Sequence, residues 1–201
     1  MKKYAMIFAV VWALLGASTS FASILTYNAA LSGANEAPPN GSSGTGFVSV
    51  IYDSTARTMR VIVDFSGLTG NVTAAHIHCC TAIANVGNVG VATAVPTFPG
   101  FPSGAGVTSG SYDQTFDMTL SASYNPSFIT AHGGTVGSAE ADLFAGMAAE
   151  KTYFNIHTTT SPGGEIRGFL AVPEPGSLAL LGVGLAGLGL GRRQKQSPSV
   201  T

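Results

Sequence analysis

Hydrophobic and polar residues alternate with a period of two through much of the middle of the chain. Met59, Val61, Val63 and Phe65 alternate with Arg60, Ile62 and Asp64, and Tyr112, Phe116, Met118 and Leu120 share one face of the segment from Ser111 to Leu120. Such alternation predicts half-buried strands, because successive side chains of a strand point to opposite faces. Further runs read as strands over Ile24 to Leu31, Gly46 to Tyr52, Val72 to His78, Thr152 to Thr158 and Glu165 to Ala171. Turns rich in Gly, Asn, Ser and Pro separate them, Ser161-Pro162-Gly163-Gly164 among them. Seven short strands punctuated in this way predict an all-β domain, a Greek-key β-sandwich.

Two short helical insertions interrupt the strands. Asn125-Pro126 before Ser127 to Ala131, closed by Gly133-Gly134, supplies a capping residue, Pro in the first turn and Gly at the end. The stretch from Ser138 to Ala149 puts Leu143 and Met147 on one stripe, with Glu140 and Asp142 expected in a first turn that favours acidic groups. From Cys79 to Gly110 the chain reads as a loop rich in Gly, Pro and Val, too long for a passive connector.

The two ends carry targeting signals. Lys2 and Lys3 precede an apolar run from Ala5 to Leu15, and Ser20-Phe21-Ala22 offers small residues at the spacing read by a signal peptidase, so residues 1–22 are expected to leave and Ser23 to start the mature chain. At the other end Val172-Pro173-Glu174-Pro175-Gly176 is followed by a Gly-rich apolar run from Leu178 to Leu190 and by Arg192-Arg193. This order of parts, over residues 173–201, resembles the PEP-CTERM sorting signal of bacterial envelope proteins. The resemblance implies an exosortase-type membrane enzyme that recognises Pro173-Glu174-Pro175 and removes the tail. An apolar run shorter than the roughly 20 residues of a stable span suits a transient transmembrane anchor, held with its Arg side inward.

Composition narrows the class of the domain between, residues 23–172. Charged residues make up 9% of the 201-residue chain, beside 26 Gly and 10 Pro. A coiled coil or a charge-rich disordered protein needs far more Glu, Lys and Arg. Although the whole chain has a formal net charge of -1, five of its basic residues are terminal. Between Ser23 and Val172 only Arg57, Arg60, Lys151 and Arg167 oppose nine acidic side chains, which leaves this part at -5. So acidic a surface repels phosphate and excludes nucleic acid as a partner.

Candidate chemistry gathers around histidine. His76 and His78 sit two apart in an expected strand, so their rings leave the same face about 7 Å apart and can converge on one ion. His157 ends another strand on the same alternation as Tyr153 and Asn155. If the two strands are neighbours, three imidazoles meet, a donor set that suits copper, zinc, nickel or iron. If they are not, each ring simply bonds to nearby backbone. His132, on the short helix, is expected at the surface.

Cys79 and Cys80 follow His78 directly, and three readings stand side by side: a disulfide between adjacent residues, soft thiolate ligands beside the histidines, or two buried thiols. No Ser-His-Asp set in motif context, no phosphate-binding Gly loop and no arguable carboxylate pair accompanies them.

Several segments together resemble a family. Leu31-Ser32-Gly33-Ala34-Asn35-Glu36-Ala37-Pro38-Pro39, Ala75-His76-Ile77-His78, Tyr153-Phe154-Asn155-Ile156-His157-Thr158 and Pro162-Gly163-Gly164-Glu165-Ile166-Arg167-Gly168 are similar to the CHRD domain, named for its repeats in chordin and recurrent in exported bacterial proteins. The resemblance runs from about Tyr27 to Ala171 in family order and implies a domain type rather than an activity. A weaker similarity is to copper-zinc superoxide dismutases, in which a Greek-key sandwich holds copper with a His-x-His strand and a late His, near an Arg that steers the anion. It would give those parts to His76, His78, His157 and Arg167. It supplies no counterpart for the bridging histidine or the zinc subsite, and Arg167 has Glu165 or Glu36 as an ordinary ion-pair partner.

The reading that results is an exported envelope or extracellular-matrix module that is not an enzyme. A copper or zinc ion is its candidate cofactor, on His76, His78 and His157, with Cys79 and Cys80 as weaker candidates. A copper-dependent, dismutase-like enzyme and a metal-free structural or adhesive protein are the alternatives. The expected partners are signal peptidase, an exosortase-type enzyme, and an extracellular polysaccharide or surface protein. The expected location is the periplasm, outer surface or matrix.

Overall fold

A computed structural model describes residues 24–173. The proposed signal peptide, 1–22, and the apolar and basic parts of the sorting signal lie outside the described residues. Among the described residues no helix is long and apolar enough to cross a membrane.

The alternating segments form seven strands: β1 (Ile24–Ser32), β2 (Thr45–Asp53), β3 (Thr58–Ser66), β4 (Val72–His78), β5 (Gly110–Asp117), β6 (Tyr153–Thr158) and β7 (Ile166–Phe169). They make one antiparallel sheet in the order β4-β6-β7-β1-β2-β3-β5. The all-β expectation holds, and the two layers of the expected sandwich are two halves of one curled sheet. β4 departs from β3 to the far edge and the chain then returns to β5, which is the Greek-key element of the topology.

Inward-facing residues of both halves enclose one core. Val48, Val50, Met59, Val61 and Val63 of the β1–β2–β3–β5 half meet Ala75, Ile77, Phe154, Ile156 and Ile166 of the other half, all fully buried. Each such aliphatic side chain contributes on the order of 2 kcal/mol by leaving water. The loop from residue 79 to 109 closes the gap between the two edge strands. Its Phe98 and Phe101 lie against Tyr112 of β5 on one side and Phe154 of β6 on the other. Ala92 N–H and Phe98 N–H donate to the carbonyls of Ile77 and Ala75, so the free edge of β4 is covered by the chain that follows it.

Two short α-helices sit where the pattern put them. In α1 (Pro126–Ala131) the Asn125 side chain accepts from Ser127 N–H, and Gly133 and Gly134, at φ 84° and 73°, end the segment. The second helix, α2 (Val136–Ala148), begins earlier than expected, because Thr135 and Ser138 form a reciprocal capping box. Glu140 and Asp142 therefore lie beyond the first turn. Glu140 is buried and accepts hydrogen bonds from Tyr52 and Arg57, while Asp142 bonds to His132. A second difference concerns Leu120, which the alternation assigned to a buried face. The strand stops at Asp117, whose side chain accepts from Thr119 and whose carbonyl accepts from Ser123, and Leu120 turns out to solvent.

Cys79 and Cys80 are joined in a disulfide between adjacent residues. It lies against α2 at Gly146, where an added Cβ would come within 2.6 Å of both sulfurs, so only glycine permits this approach.

Candidate metal centre

β4 and β6 are buried on both faces, and the polar residues on their second face are what makes the site. Ala75 and Ile77 face the core with Phe154 and Ile156. The alternate positions, His76, His78, Tyr153, Asn155 and His157, face outward and are covered by loops. Cross-strand pairs share a face, and the register places His76 opposite Asn155 and His78 opposite Tyr153, with Arg167 and Phe169 of β7 continuing the two rows. β4 and β6 are thus direct neighbours, which was the condition for the three imidazoles to meet.

They do meet. Ring centroids are 5.8 Å apart for His76 and His78, 5.3 Å for His76 and His157, and 5.8 Å for His78 and His157. One nitrogen of each ring faces a backbone carbonyl. His76 Nε2 lies 2.5 Å from Pro96 O, His78 Nδ1 2.9 Å from Val89 O, and His157 Nδ1 2.9 Å from Pro162 O. A carbonyl only accepts, so each of these nitrogens carries the ring hydrogen. The lone pair is then on His76 Nδ1, His78 Nε2 and His157 Nε2, and all three atoms are buried without a hydrogen-bond partner. One donor atom from each ring lies within 4.8 Å of the other two. Three nitrogens about 2.0–2.1 Å from a common ion form a triangle that each reaches by moving inward less than about 1 Å.

The electrostatics keep these rings neutral. Burial lowers the pKa of His78 to about 4, with the other two rings and Arg167 adding to the effect against the opposing Val89 hydrogen bond. Burial likewise lowers His76 and His157, against their carbonyl bonds. A neutral imidazole whose second nitrogen is held by a carbonyl is the form that ligates a metal, and the carbonyl sets the ring's orientation.

The other residues singled out by sequence lie apart from this cluster or beside it. The sulfurs of Cys79 and Cys80, considered as soft ligands, are bonded to each other, face the Asp142 carbonyl and Gly146 of α2, and are not among the clustered donor atoms. His132 is three-quarters buried rather than fully exposed, because its ring packs at a tilt against Phe128 and bonds to Asp142. Arg167 is 3% exposed. Its guanidinium bonds to the carbonyls of Asn35 and Gly87 and to Asn88 Oδ1, lies over the Tyr153 ring and stands 3.8 Å from Glu36. Glu36 is therefore its acidic partner. Glu165 instead accepts from Ser42, Thr69, Gly70 and Thr158. Sequence reasoning missed the three carbonyls that orient the rings, since a carbonyl carries no residue signature. It also missed Asn155 as the buried link between His76 and Arg167.

Fold and cluster together define a small all-β module with one buried histidine centre. The chain belongs to the CHRD domain family, whose domain matches residues 27–170, and it continues into a PEP-CTERM protein-sorting motif over residues 171–194. That motif marks the protein for processing by an exosortase-type sorting enzyme and for export to the cell envelope or surface. No curated protein and no solved structure matches the chain.

Proposed function

We propose that this protein is a non-enzymatic module of the envelope or extracellular matrix whose CHRD domain holds a copper or zinc ion through His76 Nδ1, His78 Nε2 and His157 Nε2. Signal peptidase removes residues 1–22, the sorting enzyme removes the tail near Pro173-Glu174-Pro175, and the domain is left at the surface among extracellular polysaccharide or surface proteins. The observation that carries the reading is the set of three buried, unpartnered ring nitrogens on histidines whose donor atoms cluster within 4.8 Å of one another. Buried polar atoms are normally satisfied, and an uncompensated one costs about 1–3 kcal/mol. A single cation satisfies all three at once.

A dismutase would use Arg167 to draw in an anion. Arg167 is instead buried against the protein's own oxygens and beside Glu36, and this favours the non-enzymatic reading. Metal content of the purified exported protein after copper or zinc loading tests the proposal. One ion per chain, lost on substitution of any one of the three histidines, is the expected result. A parent protein that binds no ion would leave the metal-free structural module.

A further inference from the structure

Given metal binding as proposed above, the charge and number of the donors bear on which ion they hold. We propose that the triad is built for a monovalent ion, Cu(I), held by three imidazoles alone, and against Zn(II) and Cu(II).

The first ground is charge. All three donors are neutral, and no Asp, Glu or free thiolate joins them among the described residues. The carboxylates of the surrounding loops lie outside the donor cluster. Glu165 is enclosed by hydroxyl and backbone N–H donors, and Glu36 faces Arg167 through Oε2 at 3.8 Å, with its Oε1 buried and unpartnered. Arg167 itself acts on His78 as a positive charge. A buried cation without a counter-ion is opposed by desolvation, which grows with the square of the charge, so a divalent ion suffers about four times the cost of a monovalent one. Divalent ions in closed protein sites ordinarily meet this cost with carboxylates or thiolates, and a three-histidine zinc instead keeps an open fourth position for water or hydroxide. This site has neither carboxylate nor thiolate among its donors.

The second ground is coordination number. Zn(II) takes four ligands in closed sites and Cu(II) prefers a tetragonal set, whereas d¹⁰ Cu(I) is satisfied by three donors in a plane. The neighbours placed to add a fourth are constrained. The Tyr153 hydroxyl bonds to both the N–H and the carbonyl of Val89, and the Tyr153 ring is stacked on His78 at 4.7 Å. Asn155 Oδ1, on the strand position opposite His76, is buried and unpartnered but uncharged, so its approach would leave a divalent ion uncompensated.

The third ground is enclosure. The three ligand atoms are each buried, and loops carrying Val89, Pro96 and Pro162 hold their rings from outside. A closed, three-coordinate, uncharged site holds copper in its reduced form, with little room for the extra ligands that the oxidised form requires.

The test is a pair of competition titrations on the exported protein, with Cu(I) against a chromophoric Cu(I) chelator without oxygen and with Zn(II) against a chromophoric zinc chelator. X-ray absorption of the copper form then gives the coordination number. The expected result is one Cu(I) per chain, three nitrogen scatterers, and an affinity for Cu(I) higher than for Zn(II) by about three orders of magnitude. Asn155→Ala should leave Cu(I) affinity within about threefold of the parent, since the oxygen is not a required ligand. Zn(II) bound as tightly as Cu(I), or a four-coordinate copper site, would overturn this inference and leave metal binding standing. A parent that binds neither ion would remove the metal-binding reading itself.

Discussion

His157 stands opposite Ala74 in the β4–β6 ladder, not opposite a histidine. The offset is what makes a triangle from two strands: with His76 and His78 on one strand, a third ring displaced along the next comes to 5.3 Å from the first and 5.8 Å from the second. A slip of one residue in that pairing would send His157 to the core face and dissolve the site.

Each corner of the triangle is therefore expected to matter equally. Replacing His76, His78 or His157 by Ala should lower copper affinity by more than about 100-fold, because one of only three ligands is lost. His132→Ala should change it little, since that ring belongs to Asp142 and Phe128. Calorimetric titration of the four variants checks this, and equal affinities across them would refute the site.

The pH at which metal is released should lie below that of free imidazole. From the sequence alone the fall is expected near pH 6.5, where an unperturbed ring begins to take a proton. Burial lowers all three rings in the folded protein, His78 to about 4. Protons then compete with the ion only in more acid solution. The same shifts set the sign for the metal-free protein. Between pH 6.5 and about 4 the unfolded chain binds more protons than the folded one, so stability is complete above this window and is lost as pH falls through it. Melting curves and metal affinities measured from neutral pH downward test both statements. Release centred at the free-imidazole value would show that the rings are not buried as described.

Two glutamates should respond to pH with opposite sign. For Glu165, burial alone would raise the pKa, but hydrogen bonds from Ser42, Thr158 and Thr69 bring it down to about 2 from 4.5. Its stabilisation is present above pH 4.5 and is lost as pH falls toward 2. Burial raises Glu36 to about 7 from 4.5 despite Arg167, so keeping it charged costs stability as pH rises through that interval. Glu165→Gln should flatten the acid limb of the melting profile, and Glu36→Gln the neutral limb. An unchanged profile for either variant would contradict its assignment.

Arg167→Ala should destabilise the domain by about 3 kcal/mol, since it removes the cation beside buried Glu36 and empties a stacked position over Tyr153. Metal binding should survive, because Arg167 provides no ligand. Urea unfolding together with copper titration separates the two effects; unchanged stability with lost binding would assign Arg167 to the metal site instead.

The mature protein should lack both ends. Intact mass of the native envelope protein is expected to fit a start near Ser23 and an end between Pro173 and Pro175. Full-length tail recovered from membranes of cells that carry the sorting enzyme would contradict this.

Strand positions, the two helices and the sorting motif were legible in the amino-acid sequence because each is a local pattern. The period-two alternation of Met59 to Phe65, the Asn125-Pro126 cap and the Pro-Glu-Pro triplet act on neighbours a few residues away. His76 and His78 were legible as one half of a site for the same reason. The sequence could not say which strand neighbours β4. Only long-range pairing decided that β6 lies beside it, 79 residues further along the chain at the His76–Asn155 pair, and so brought His157 to the cluster. Tertiary structure also decided Arg167 and Glu165. They lie two residues apart, yet one is drawn to Glu36 and the carbonyls near Asn35, and the other to hydroxyls around Thr69 and Thr158. Their partners come from other loops of the sheet, and no local rule of charge or spacing encodes which loop the curl of the sheet brings overhead. The orienting carbonyls of Val89, Pro96 and Pro162 are the extreme case, because every residue has one and only the folded path of the chain decides where it points.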